Sequence, residues 1–457
     1  MTRKLFGTDG VRGVAGELLS AELAMALGAA ATRRTKAAHP QVLIVRDTRE
    51  SGEMLQAAIA AGVSAAGGDA LLGGVLPTPA APLLLRRYGF DLAVVLSASH
   101  NPYRDNGIKF FAADGYKLSD EDELEIEREL QRHVDATVDG ASGASGRGSG
   151  QSVEEAPRIG RVRELRGTHE DYLRELHTRF CDLRLDGVKV LLDCANGATY
   201  KVAPEIFRRL GADVTAVADS PDGRNINAGC GSTHVERLGE LVVEGGYDIG
   251  FAFDGDGDRV LAVDRLGNVV DGDELMALIA LHLRERGALH GNGIVVTVMT
   301  NYGFHAAMQE AGIEVAQTGV GDRYVLEELR KRGWALGGEQ SGHIIEMGFN
   351  STGDGVAGAL LTLEALDGGD LSERHAMSKL PQRLVNVRVR DRNALADANG
   401  VSEAIRGEDE ALRGRGRVLV RPSGTEPLVR VMVEAPTEQE AEEVCERLVA
   451  VVERELG

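Results

Sequence analysis

The chain is 457 residues long, 43% hydrophobic and only 4% aromatic, with a formal net charge of −20 and four scattered cysteines. That length exceeds a single core and predicts about three or four domains, with aliphatic side chains and glycines doing most of the packing. The acidic balance argues against a nucleic-acid or anionic-membrane surface, since phosphate polyanions would be repelled. Screening within about 8 Å still allows one small anionic substrate held by local arginines and lysines.

In chain order, the start MTRKLFGTDGVRG has no apolar leader run, and no later stretch approaches a membrane span. A cytoplasmic protein is expected, and the absence of C-x-x-C spacing among Cys181, Cys194, Cys230 and Cys445 predicts reduced thiols. FGTDGVRG (6–13) sets Thr8 and Arg12 in a glycine-rich turn, equally readable as a plain chain start. Apolar runs at 42–45, 188–192 and 294–298 are each followed by a loop, a helical pattern, a glycine and a second apolar run. The helices are expected to 66, over 204–210 and over 304–311, and the second runs lie at 70–72, 214–217 and 313–315. Strands and helices at this spacing predict βαβ units, hence three related α/β domains in series.

The apolar run 92–96 predicts a buried strand, and LSASHNPYRDNGIKF (96–110) carries a hydroxyl-rich loop at its carboxyl end. Ligands of open α/β sheets bind at such ends. There Ser99 precedes His100, with Lys109 a short loop away. A serine can hold a phosphoryl group if cations and a metal offset the charge; the plain alternative is a serine-rich turn. Ser119 and the acidic residues after it predict a capped, solvated helix. The Gly/Ser tract within 136–152 predicts a flexible insertion near the first domain boundary, with a mobile lid as the alternative.

FAFDGDGDRV (251–260) alternates Asp254, Asp256 and Asp258 with glycine after an apolar strand. Three hard oxygen donors on one side of an extended loop suit Mg2+. A calcium EF-hand is excluded, because Arg259 and Arg265 stand where it needs glycine and glutamate. An aspartyl-phosphate loop with Asp254 or Asp256 as nucleophile stays open, although Asp258 occupies the position of its usual threonine. A purely structural acidic turn would crowd carboxylates that repel one another without a cation. Arg259 would meet a phosphate bridging to the metal.

GGEQSGH (337–343) offers Glu339, Ser341 and His343 to vicinal sugar hydroxyls, or forms a polar turn. RPSGTEPLVR (421–430) can surround a phosphate with Ser423, Gly424 and Thr425, Arg421 and Arg430 supplying charge; a structural turn is the alternative. Runs at 384–389, 417–420 and 428–434 predict strands, and a capping box at 437–440 opens a helix. Ala441, Val444, Leu448 and Val451 are expected on its apolar stripe, so a small α+β domain closes the chain. The set points to phosphoryl transfer on a phosphorylated small polyol, which needs a metal, several cations and a grip on the far end of the substrate.

SASHNP with NGIK, DGDGDR, GGEQSGH and RPSGTEP follow in that order, at domain-scale intervals, across nearly the whole chain. In these the sequence resembles the α-D-phosphohexomutase superfamily. FGTDGVRG, GDRYV (321–325) and NSTGDG (350–355) bring it nearest to the members acting on amino sugars. The resemblance implies an α/β fold of four domains around a central cleft. The first three would be related mixed α/β domains, each a sheet sandwiched by helices, and the last a C-terminal α+β domain. Expected limits are 1–152, 153–250, 251–367 and 368–457, with the metal and sugar loops both in the third.

By motif, the resemblance implies that Ser99 is a phosphoserine whose phosphate, with Asp254, Asp256 and Asp258, binds one Mg2+ per chain. Lys109 would be a general acid/base or a charge stabiliser, with His100 and Arg12 beside it and Arg259 on the transferring phosphate. Glu339, Ser341 and His343 would grip the sugar, and Arg421, Ser423, Gly424, Thr425 and Arg430 the other phosphate. The implied reaction interconverts glucosamine 6-phosphate and glucosamine 1-phosphate through a bisphosphate that turns around, toward UDP-N-acetylglucosamine and cell-wall precursors. A glucosamine 1,6-bisphosphate activator, a small phosphosugar as partner, no nucleic acid or membrane, and a homodimer complete the expectation. The alternatives are the same chemistry on glucose or mannose phosphate, an aspartyl-phosphate phosphotransferase, and a non-catalytic phosphosugar-binding regulator.

Overall fold

Apolar runs too short to be helices and bounded by glycine become strands here, and the patterns between them become helices that cover the sheets. The structure is a computed structural model and describes residues 5–7, 9–140, 158–423 and 427–457. Thr8, Gly424, Thr425 and the Gly/Ser tract from 141 onward lie outside the described residues. Two compact units result, one of Met1–Val298 with Ala316–Arg374, the other of Met299–Val315 with His375–Gly457.

The first unit opens with β1 (Val11–Val14), α1 (Ala21–Arg34), β2 (Gln41–Arg46), α2 (Ser51–Ala65), β3 (Asp69–Val75), α3 (Ala80–Tyr88), β4 (Leu92–Leu96), β5 (Asp105–Ala112), α4 (Asp120–Gly140) and β6 (Val162–Glu164). Its strands form one mixed sheet in the order β1-β5-β4-β2-β3-β6. β4 is buried along its whole length, as its unbroken apolar run requires. On α2, Leu55, Ile59 and Val63 recur at helical spacing and are fully buried against this sheet's core. Two glycines let α1 and α2 touch backbone to backbone: a Cβ on Gly62 would meet the Met25 carbonyl at 2.0 Å, and one on Gly28 the Ile59 carbonyl at 2.8 Å.

Next come α5 (Thr168–Arg179), β7 (Lys189–Asp193), α6 (Val202–Arg209), β8 (Asp213–Val217), α7 (Glu236–Gly245), β9 (Ile249–Phe253), β10 (Val260–Asp264) and β11 (Val269–Val270). They build a second sheet in the order β11-β10-β9-β7-β8, in which β9 runs parallel to β7 and antiparallel to β10. The expected limit between residues 250 and 251 therefore falls inside β9. The DGDGDR loop is the turn of the β9–β10 hairpin and belongs to the second sheet, not the third. Its aspartates are held where they are because both flanking strands are hydrogen-bonded to each other.

The third sheet has the order β13-β12-β14-β15. Its elements are α8 (Gly272–Glu285), β12 (Gly293–Thr297), α9 (Tyr302–Glu310), β13 (Glu314–Thr318), α10 (Asp322–Arg332), β14 (Leu336–Gly338), β15 (Ile344–Glu346) and α11 (Gly355–Leu366). Asp271 caps α8 with a full capping box to Glu274. The third strand–helix–strand pattern is thus present, but α9 groups with the second compact unit.

In that second unit β16 (Gln382–Arg388), α12 (Asn399–Ala411), β17 (Arg417–Pro422), β18 (Leu428–Glu434) and α13 (Glu438–Leu456) form the expected α+β arrangement, an antiparallel sheet β16-β18-β17 with helices. Thr437 caps α13 by accepting from the Glu440 N–H. The buried stripe of α13 is Ala441, Val444, Cys445, Leu448 and Val452. Val451, expected there, is half-buried and packs against the same core from the edge of the stripe. All four cysteines are free thiols. Among the described residues no helix is long and apolar enough to cross a membrane.

Candidate active site

Ser99 sits just beyond the carboxyl end of β4 with φ +55°, the left-handed region that a serine rarely adopts. Local hydrogen bonds impose this shape: Ser97 Oγ donates to Asp47 Oδ2 at 2.6 Å and accepts from the Ser99 N–H at 3.0 Å. The Ser99 hydroxyl donates to Asp254 Oδ2, and His100 Nδ1 lies 3.2 Å from it on the other side. The strand-end loop and the β9–β10 hairpin, 155 residues apart in sequence, therefore meet at one oxygen.

Asp254, Asp256 and Asp258 are all buried, and one carboxylate oxygen from each lies within 4.8 Å of the others. Burial, then Asp258 and Asp256, hold the Asp254 carboxyl well above the usual range. Asp256 Oδ2 accepts from Lys109 Nζ at 2.8 Å and from Thr78 Oγ1 at 2.6 Å. Asp256 Oδ1 and Asp258 Oδ1 are buried with no hydrogen-bond partner among the described residues. Buried carboxylate oxygens without a partner are costly. Three hard donors with two such oxygens fit a small divalent cation.

Lys109 is fully buried; that alone would lower its pKa, but Asp256, Asp9 and Asp258 raise it far above the ordinary value. It lies 2.9 Å from Asp9 Oδ2 and 2.8 Å from Asp256 Oδ2, so it stays an ammonium. His100 goes the other way, lowered to about 4 by burial and by Arg259 and Arg12. Arg12 pairs with Asp9, and Arg259 Nε lies 3.8 Å from Asp258. The guanidinium Nε of each is buried without a hydrogen-bond partner among the described residues.

From GGEQSGH, Glu339 accepts from the Gly321 N–H at 3.1 Å, while the buried Ser341 Oγ has no partner among the described residues. His343 is almost wholly buried. Its Nδ1 lies 3.6 Å from Asp258, and its Nε2 accepts from the Gly353 N–H at 3.0 Å. Its ring is thus committed to the aspartate loop and a backbone amide, and not left open to a sugar. In the second unit, Arg421 and Arg430 are register partners on β17 and β18. Burial and then its neighbour Arg430 lower the Arg421 pKa, as two like charges held side by side require. Ser423 follows at the end of β17, its carbonyl accepting from Arg392 at 2.8 Å.

Several residues around this centre are not singled out by the sequence, although Asp9 lies inside FGTDGVRG. Asp9 pairs with Lys109, Lys117 and Arg12 at once, and Lys117 continues to Asp322 of GDRYV. Thr78, in LPTPA, donates from its hydroxyl to Asp256 and from its N–H to the Asp256 carbonyl at 2.8 Å. Thr78 follows β3 and Asp47 follows β2, so the rule of ligands at strand carboxyl ends could have found both.

NSTGDG supports the metal loop from behind. The Gly355 N–H donates to the Gly257 carbonyl at 2.9 Å, and a Cβ on Gly355 would meet the Arg259 carbonyl at 2.4 Å. Asp354 caps α11, accepting from Ala357 N–H at 3.0 Å and Tyr172 Oη at 2.9 Å. Burial raises its pKa from 3.8 to about 6, against the lowering effect of those bonds. A folded pKa above the unfolded one makes this group stabilising below the unfolded value, a contribution lost as pH rises through about 6. Asp354→Asn, which keeps a capping oxygen, is expected to be more stable than wild type at pH 8, by up to about 3 kcal/mol. Thermal melts should show the gap closing near pH 4; a gap unchanged with pH would refute the assignment.

The chain matches four family models: phosphoglucomutase/phosphomannomutase alpha/beta/alpha domain I over residues 3–136, domain II over 170–267, domain III over 271–384 and the C-terminal domain over 384–451. It is 52% identical over 454 residues to the phosphoglucosamine mutase of Desulforudis audaxviator, covering 98% of this chain and 97% of that one. It is 49% identical to the phosphoglucosamine mutase of Thermobifida fusca, covering 100% and 99%. Among solved structures, a phosphoglucomutase/phosphomannomutase family protein from Burkholderia thailandensis superposes with TM-score 0.79 at 22% identity, over 99% of this chain and 98% of that one. The Aspergillus fumigatus N-acetylphosphoglucosamine mutase, solved with GlcNAc-6P and magnesium, gives 0.70 at 19% identity, over 100% and 96%. A likeness in sequence that runs through all four domain models is decisive: the chain belongs to the phosphoglucomutase/phosphomannomutase family.

Proposed function

We propose that this chain, an isomerase acting on a small phosphosugar, interconverts glucosamine 6-phosphate and glucosamine 1-phosphate through a phosphoserine at Ser99. The observation that carries the reading is the meeting of the Ser99 hydroxyl with Asp254 inside a triplet of carboxylates flanked by Lys109. Relatives about half identical over nearly the whole chain bear the name phosphoglucosamine mutase. A serine hydroxyl within the triplet also favours Ser99, rather than Asp254 or Asp256, as the phosphoryl carrier.

Phosphorylated Ser99 gives its group to the free hydroxyl of the monophosphate, so that the bond from phosphorus to Ser99 Oγ breaks as one to the sugar oxygen forms. The resulting 1,6-bisphosphate turns around and returns its other phosphoryl group to Ser99. Neutral His100, 3.2 Å from Ser99 Oγ, is placed to take the proton of the attacking sugar hydroxyl and give it to the Ser99 oxygen as that leaves, and to run the same exchange backwards when the second phosphoryl group returns. Lys109 is read as a charge stabiliser, since its carboxylates keep it protonated. Asp254, Asp256, Asp258 and a phosphate oxygen on Ser99 would hold one Mg2+, which when bound offsets charge on the transferring group. Arg12 and Arg259 add fixed positive charge beside it.

Glu339 and Ser341 would take the sugar hydroxyls, with His343 holding Asp258 in place. Arg421, Ser423, Gly424, Thr425 and Arg430 would hold the phosphate that is not transferred. Glucosamine 1,6-bisphosphate would prime Ser99, and the reaction would run in the cytoplasm as a homodimer. We place the seam between second and third domains after β11, the first and last seams staying where the sequence suggests. Comparing kcat/KM for glucosamine, glucose and mannose phosphates tests the substrate. At least a tenfold preference for glucosamine is expected; equal rates, or a preference for another hexose, would contradict the amino-sugar assignment.

A further inference from the structure

The carbonyl oxygen of Ser99 accepts two side-chain hydrogen bonds, both from residues that lie outside its own loop. Arg49 Nη2 donates to it at 2.8 Å and Asn227 Nδ2 at 2.9 Å. The same two side chains also reach the Asn101 carbonyl, at 2.9 Å and 3.2 Å, and Arg49 Nη1 takes the Pro102 carbonyl. Arg49 is fully buried, and its Nε lies 2.8 Å from Asp47 Oδ2, the oxygen that accepts from Ser97. Its charge is therefore neutralised locally and its fork is committed to three carbonyls of the SASHNP loop. Gly255 of the metal loop closes the cage: a Cβ there would meet the Ser99 carbonyl at 2.5 Å and Asn227 Nδ2 at 2.7 Å.

These contacts come from three separate places, the ends of β2 and β9 and the loop before α7. They converge on the peptide unit of a residue whose left-handed φ is unfavourable for a serine. Without the clamp, Ser99 would relax toward negative φ and swing its hydroxyl away from Asp254. A misplacement of about 1 Å at a reacting group can cost about a hundredfold in rate. We propose that Arg49 and Asn227 are positioning residues for phosphoryl transfer: they hold the Ser99 carbonyl so that its hydroxyl stays on Asp254, and they set the rate of transfer without touching the sugar. This inference rests on the proposed role of Ser99.

The test uses the full chain with Arg49→Lys and Asn227→Ala, assayed with glucosamine phosphate after priming by the 1,6-bisphosphate. Turnover is expressed per phosphorylated subunit, counted by intact mass, and thermal melting is recorded alongside. For Asn227→Ala kcat is expected to fall about tenfold, and for Arg49→Lys about a hundredfold, with KM within about twofold of wild type. Refilling of Ser99 by the bisphosphate should slow in proportion. Wild-type kcat per phosphorylated subunit in Asn227→Ala would overturn the proposal, as would a change confined to KM. Should Arg49→Lys fail to fold, Asn227→Ala decides alone. Full activity in Ser99→Ala would instead overturn the role of Ser99 itself, a separate result.

Discussion

Ser99→Ala is expected to lower turnover by about 10⁴-fold or more, the scale seen when a covalent carrier is removed from an otherwise intact site. The folded protein should survive the change. Among the described residues Ser99 Oγ meets Asp254, a carboxyl already pushed up by burial and by its neighbours, and the adjacent His100, and the loop's shape depends on the Ser99 backbone instead. Melting temperature should stay within a few degrees, and sugar affinity, measured by calorimetry with glucosamine 6-phosphate, should change little. Isomerase assays on a variant free of wild-type contamination provide the check. Residual turnover within tenfold of wild type would remove Ser99 from the reaction and return the aspartyl-phosphate reading to favour.

Metal removal is the second large effect. Dialysis against a chelator should abolish activity and Mg2+ should restore it. Asp256→Asn should cost about a thousandfold at any Mg2+ concentration that saturates wild type, because it weakens the cation site and the Lys109 pair together. Stability should move in a telling direction. In the metal-free protein Asp254 carries a raised pKa from burial and from two like-charged neighbours, so Asp254→Asn should melt higher than metal-free wild type. Added Mg2+ should then stabilise wild type by about 2.7 kcal/mol at a hundred times its Kd, and the variant far less. A variant that responds to Mg2+ like wild type would mean the cation binds elsewhere.

Much of this centre could be read from the linear chain because its chemistry is local. Three aspartates alternating with glycine, or a serine after a buried apolar run, announce themselves within a few residues. The clamp does not. Arg49 acts on backbone carbonyls fifty residues away and Asn227 on the same ones from the other direction, and a carbonyl has no residue signature. Asp9 stands inside FGTDGVRG, but its role is not readable there, since it lies in Lys109 and Lys117 arriving from β5 and the loop beyond it. The misplaced limit inside β9 has a similar cause: an apolar run looks the same whether it ends one sheet or begins the next, and only pairing with β7 decides. His343 looked like a sugar contact because imidazole suits hydroxyls; burial against Asp258 gives it other work.

The most direct test of the account follows one phosphoryl group. Protein labelled with radioactive phosphate by the 1,6-bisphosphate is mixed with unlabelled glucosamine 6-phosphate, quenched in acid at intervals and mapped by peptide. The label should sit on the peptide holding Ser99, survive acid, resist hydroxylamine, and pass to the sugar at least as fast as steady-state turnover. Label found on the peptide of Asp254 to Asp258, released by hydroxylamine, or held on Ser99 without transfer, would contradict it.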